Sequence, residues 1–200
     1  MDLYSVLLFV HVLSAMALFG VLAVETVALA SLRRAATLDE GRKWMGLMRR
    51  TGRLGPIAMV PLLAAGIWMM ALRWDAAPWI VAALAGVVAM AVLAGAVTRR
   101  AMRRFAQSLG ARAELSPGGI AALADPGPLA LSLWLRVALA IGILALMTMK
   151  PGVLGSVAIL ALALALGAAA GLYSKRSSEP ARTRRAISGT APVYRADAGS

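Results

Sequence analysis

Apolar residues along this chain fall into five long runs, separated by short polar or basic stretches. The runs cover about residues 3–32, 56–74, 79–98, 129–149 and 153–173. Each is close to or above the roughly 18 residues that a helix needs to cross a hydrocarbon layer at about 1.5 Å per residue. None has the strict alternation of a half-buried strand. The pattern predicts an all-α integral membrane protein, a polytopic bundle of five transmembrane helices.

The separators predict where these helices stop. Ser31-Leu32-Arg33-Arg34 ends the first run and Arg99-Arg100 ends the third. Asp75-Ala76-Ala77-Pro78 and Lys150-Pro151-Gly152 read as tight turns, and Gly55-Pro56 opens the second span. Thr37 and Glu40 form a capping-box pattern at the start of the basic segment between the first two runs. Beyond it, Trp44, Leu47, Met48 and Thr51 share one side at helical spacing, with Arg42, Lys43, Arg49, Arg50 and Arg53 around them. That segment reads either as a helix lying along the headgroups or as a solvated turn of a longer helix. Between the third and fourth runs, Ser116-Pro117 opens a small helix that Asp125-Pro126-Gly127-Pro128 ends. Residues 174–200 are polar and Arg-rich without apolar periodicity, and read as a disordered basic cytoplasmic tail.

Composition agrees with a membrane setting. Of 200 residues 60% are hydrophobic and 15% charged, with a mean hydropathy of +0.78. One soluble core of this size cannot enclose so much apolar surface. A net charge of +12 would suit nucleic acid, but its placement excludes that partner. Seven Lys/Arg lie between Arg33 and Arg53, five between Arg99 and Arg112, and six between Lys175 and Arg195, eighteen of the twenty-one. If five helices cross, all eighteen fall on one side, which the positive-inside rule makes cytoplasmic. The expectation is a multi-pass protein of the bacterial inner membrane, N-terminus out and C-terminus in, with anionic lipid headgroups at its basic loops. Met1-Asp2-Leu3-Tyr4 lacks the positive start of a signal peptide, so the first run is expected to remain as a helix. The absence of cysteine excludes disulfides, thiolate metal sites and thiol catalysis, and one histidine excludes a multi-histidine metal centre within one chain.

Three side chains are costly inside an apolar layer: His11 and Glu25 on the first helix and Arg136 on the fourth. Glu25 lies fourteen residues beyond His11, which at about 100° each brings it within roughly 40° of the His11 direction, and Ser14 falls near that face. Glu25 and Arg136 have opposite charge and similar depth, and are expected to pair. They act as a packing staple, as separate snorkelling groups, or as part of a proton or substrate path. His11 can ligate haem iron or copper, relay protons, or hydrogen-bond across helices to Ser14 or a carbonyl. Ala163, Gly167 and Gly171, four residues apart on the fifth helix, present a smooth face for close helix packing, within the chain or in a dimer.

The stretch Phe9-Val10-His11-Val12-Leu13-Ser14-Ala15-Met16-Ala17-Leu18-Phe19-Gly20 resembles the opening helix of HemJ-like protoporphyrinogen oxidases, CopD-like copper-resistance domains and a related uncharacterised membrane family. Met149-Lys150-Pro151-Gly152 is similar to the ending of that uncharacterised family, whose core has four helices. The resemblance implies a four-helix core over residues 1–152, with the fifth helix as a C-terminal extension. It also implies b-type haem or copper at His11. The intramembrane lysine on which HemJ-like oxidases rely has no counterpart here, because no lysine falls inside a span, so their oxidase chemistry is not expected. The readings carried forward are a haem- or copper-binding membrane protein, a non-catalytic accessory or scaffold subunit, and a small transporter or proton path lined by His11, Ser14 and Glu25. A homo-oligomer or a membrane partner subunit is left open by each.

Overall fold

A computed structural model describes residues 2–35, 37–110 and 127–176. It contains helices α1 (Leu3–Arg34), α2 (Leu38–Arg73), α3 (Pro78–Val92), a π-helical segment (Leu93–Thr98), α4 (Arg99–Gly110), α5 (Gly127–Met149) and α6 (Val153–Arg176). The π segment joins α3 and α4 without interruption, so that stretch forms one long helix. Five helices are long and apolar enough to cross a membrane. Their outward faces are also apolar, with Phe9, Val27, Ile57 and Leu154 among the exposed side chains.

Two helical hairpins make the frame, α1 against α2 and α5 against α6. α5 is the hub, packing also on α3, the π segment and α1. α2 and α3 are joined by a short turn yet share little contact along their lengths, and α4 returns to touch α2 at the far end. This packing leaves a gap between α2 and the α3–α4 rod.

The ends of the helices are fixed by local chemistry. Asp2 caps α1 by accepting the Ser5 N–H at 3.0 Å, and the hydrogen bonding from Ser5 holds its carboxyl below the usual range. Thr37 caps α2 by accepting the Glu40 N–H at 3.2 Å, the first half of the expected capping box. At the opposite end, Trp74 and Trp79 meet edge to face with centroids 5.6 Å apart. Lys150 Nζ lies 4.3 Å from the Trp74 ring centroid, and Trp74 Nε1 donates to the Tyr4 hydroxyl at 3.3 Å. These contacts tie the start of α1 and both turns at that end together through cation–π attraction and aromatic packing. At the arginine-rich end, Arg33 donates to the Ser174 hydroxyl at 2.6 Å, joining α1 to α6.

Three boundaries differ from those read in the sequence. Gly55-Pro56 does not open a new helix: α2 runs unbroken through Pro56 and Pro61. The reason is the buried stripe. Gly41, Met45, Met48 and Thr51 precede the prolines, and Ala58, Leu62, Ala65 and Met69 follow in the same register, so one face stays against α1 throughout. Each proline removes one backbone donor, a loss that packing tolerates inside a helix bundle. Of the two readings of the basic segment, the turn of a longer helix is therefore the one found. Arg99-Arg100 likewise do not stop the third helix, which continues to Gly110. α6 passes Tyr173 and ends at Arg176. The small helix expected at Ser116-Pro117 and residues 177–200 of the expected tail lie outside the described residues.

The small-residue face of α6 packs within the chain. A Cβ on Gly167 would stand 2.9 Å from the Leu135 Cα, and one on Gly171 would stand 2.9 Å from the Leu131 Cα. Ala163 in turn lies 3.0 Å from where a Gly142 Cβ would be. These approaches let α6 lie directly on the α5 backbone, the role that small residues play at membrane-type helix crossings.

Candidate functional site

Glu25 and Arg136 each lie nine residues from the arginine-rich end of their helices, α1 and α5. The structure brings them together: Arg136 Nη2 donates to Glu25 Oε2 at 2.5 Å, with Glu25 4% and Arg136 5% exposed. Two charges so enclosed depend on each other, since neither has water to solvate it. The pair is only part of what Arg136 can do. A guanidinium carries five N–H donors, and the buried Arg136 Nε has no hydrogen-bond partner.

His11 belongs to a different contact. Its Nδ1 lies 3.0 Å from the Leu62 carbonyl of α2. A carbonyl only accepts, so Nδ1 carries a proton, and in the neutral ring Nε2 is then the nitrogen with the lone pair. The ring sits against Gly66, where a Cβ would come within 3.2 Å of His11 Cε1. Fourteen residues of helix, about 21 Å, separate this contact from Glu25, and the two side chains meet different neighbours. Ser14 is buried between them on α1, and the partner of His11 is the carbonyl rather than Ser14. Among the described residues, no three His, Cys, Asp or Glu side chains come together to hold a metal ion.

The gap between α2 and the α3–α4 rod is a cleft of about 1060 Å³. α1 supplies its floor through Leu18, Leu22 and Glu25, and Arg136 lies in its wall. Five methionines, Met45, Met48, Met59, Met90 and Met102, line it, and such unbranched, polarisable side chains adapt to varied apolar shapes. Gly46, Gly52, Gly55 and Gly95 also line it, and an added Cβ at any of these would meet nothing within 4 Å. Around the mouth stand Arg42, Arg49, Arg53, Arg99 and Arg103, all exposed. Arg42 pairs with Asp39 at 3.2 Å.

Sequence reasoning missed the cleft wall formed by the π segment. A π turn holds one more residue than an α turn, so it leaves a carbonyl without its usual donor. Here Leu93 O accepts from the Ser132 hydroxyl at 3.2 Å and from the Thr98 hydroxyl at 3.4 Å. The two hydroxyls lie 2.9 Å apart. This network pins the π segment to α5 one turn from Arg136. Ser132 and Thr98 gave no sequence signal because isolated hydroxyls in apolar helices usually bond their own backbone.

The site therefore combines a buried ion pair, an adaptable apolar interior and a cationic mouth. No protein-family model matches the chain, and neither a curated protein nor a solved structure matches it.

Proposed function

We propose that the chain is a small multi-pass protein of the bacterial cytoplasmic membrane that receives a ligand in the cleft between α2 and α3–α4, from its arginine-rich side. The observation that carries this reading is the cleft itself, about 1060 Å³, with the buried Glu25–Arg136 pair in its wall and exposed arginines at its mouth. A buried charge needs more than one hydrogen bond to offset its desolvation. A helical staple would require the pair alone, and what favours a ligand is the cleft beside it, whose volume is at the upper end of the range for small-molecule sites. The charge asymmetry of the chain makes the arginine-rich side cytoplasmic.

The test exploits the lack of cysteine in the sequence. Ala94→Cys places a single thiol in the cleft lining, and Ala163→Cys places one between α5 and α6. In inverted membrane vesicles, a membrane-impermeant maleimide should label the first and spare the second. Labelling of Ala94→Cys no faster than Ala163→Cys would mean that the cleft is closed, and the reading falls.

A second reading has its own support in His11. The Leu62 carbonyl fixes its Nδ1 proton, and a histidine so held offers Nε2 to iron or copper, as ligating histidines generally do. His11 would hold a b-type haem or a copper ion, which would supply electron transfer. Arg73 and Lys150, at the same end of the bundle, are the cations placed to meet haem propionates. Protein from a haem- and copper-replete host should then show a Soret band, or copper by elemental analysis, that His11→Ala abolishes. A colourless, copper-free wild type would leave His11 as a packing hydrogen bonder to α2.

A further inference from the structure

Cations and apolar surface are arranged in the cleft in a definite order. Arg42, Arg49 and Arg53 follow one face of α2, while Arg99 and Arg103, four residues apart, follow the facing side of α4. Among the described residues, Arg49, Arg53, Arg99 and Arg103 have no carboxylate partner. Like charges facing each other across a gap repel, so an anion between the two rows would stabilise this mouth. Among the described residues, the only carboxylate in the lining, Glu25, is already bonded to Arg136. Beneath the arginines the lining turns apolar, through Leu18, Leu22, Val60, Leu63 and the methionines.

From this order we infer that the ligand of the cleft is an anionic phospholipid, with its phosphate between the arginine rows and an acyl chain along the methionine-lined interior. The inference rests on the ligand-cleft reading above and names the ligand class. A free phosphate or other soluble anion would satisfy the arginines but leave the apolar interior without a match. A zwitterionic lipid would fill the interior but carry its own cation into a cationic mouth. An anionic lipid matches both halves. The four cleft glycines keep α2 and the π segment narrow where the chain would pass, and arginine suits phosphate through its planar pair of donors.

The test is a lipid titration of the full chain in detergent, read by native mass spectrometry. Phosphatidylglycerol and phosphatidylcholine of equal chain length are compared. Wild type should bind one phosphatidylglycerol about ten-fold more tightly than phosphatidylcholine, on the order of what one or two interfacial cations supply. Arg99→Gln with Arg103→Gln should erase most of that preference and leave phosphatidylcholine binding unchanged. Gly52→Leu extends a side chain into open cleft space and favours the helix, so it should weaken both lipids without unfolding the protein. Equal affinity for the two lipids, lost together in Gly52→Leu, would overturn the anionic selectivity while leaving a ligand cleft in place. Displacement of phosphatidylglycerol by inorganic phosphate at comparable concentration would overturn the lipid as source. Lipid binding indifferent to both variants would overturn the inference outright, and the labelling of Ala94→Cys then decides whether the cleft reading survives.

Discussion

Glu25 and Arg136 form the contact on which the interior of the arginine-rich half depends. Both are nearly inaccessible and each is the other's charged partner. Replacing Glu25 by Gln or Arg136 by Leu should each lower stability by about 3–5 kcal/mol, the cost of stranding one buried charge. The double variant should recover at least about 1.5 kcal/mol of the summed loss, because neither charge is then left alone. Denaturant titration in mixed micelles measures this, and strictly additive effects would mean that the two side chains do not interact. This pair was legible in the sequence, because two opposite charges at one depth in an apolar bundle have few other solutions. The partner of His11 was not. It is a backbone carbonyl, which no residue pattern announces, and the cradle for the ring is an absence, the missing side chain of Gly66.

At the scale of helices, existence was legible and breaks were not. Five apolar runs became five candidate spans, since run length against bilayer thickness leaves little choice. Gly55-Pro56 and Arg99-Arg100 are stop signals by local chemistry, yet both helices continue through them. In α2 the deciding term is tertiary: the buried stripe from Met45 to Met69 holds one register against α1, outweighing the two lost donors. In the α3–α4 rod a π turn takes up the local disturbance, and Ser132 on another helix supplies the donor that makes it tolerable. Neither cause lies within the segment that it controls, which is why a window along the sequence cannot find it. The small-residue series on α6 was visible as a pattern, and its meaning depended on whether α5 lay across it. The close approaches at Gly167 and Gly171 answer that within the chain.

The whole molecule has two unlike ends, and their difference yields the sharpest test of orientation. One end gathers Tyr4, Trp74, Trp79, Arg73 and Lys150 into a compact aromatic and cationic cluster. The other gathers the arginines of α2 and α4 around the cleft mouth. Tryptophan and tyrosine settle at either interface of a bilayer, so the aromatic end alone does not say which side it faces. The arginines carry the proposed orientation, because dense Lys/Arg segments tend to be retained on the cytoplasmic side during insertion. A periplasm-active phosphatase fused after Asp75 or Lys150 should therefore be active in a bacterial host, and fusions after Arg53, Arg104 or Arg176 should be inactive. The fusion after Arg53 carries an extra demand, since α2 is continuous there and the fusion cuts it short of its apolar half. That truncated helix should stay in the cytoplasm with its arginines, leaving α1 as the only crossing. Activity after Arg176 would mean an even number of crossings, and the hairpin of α5 and α6 would then have to enter and leave from the same side as the aromatic cluster. Their ends contradict that arrangement: Ser174 bonds Arg33 at the arginine-rich end while Lys150 stacks on Trp74 at the other, so the two helices run the full length of the bundle.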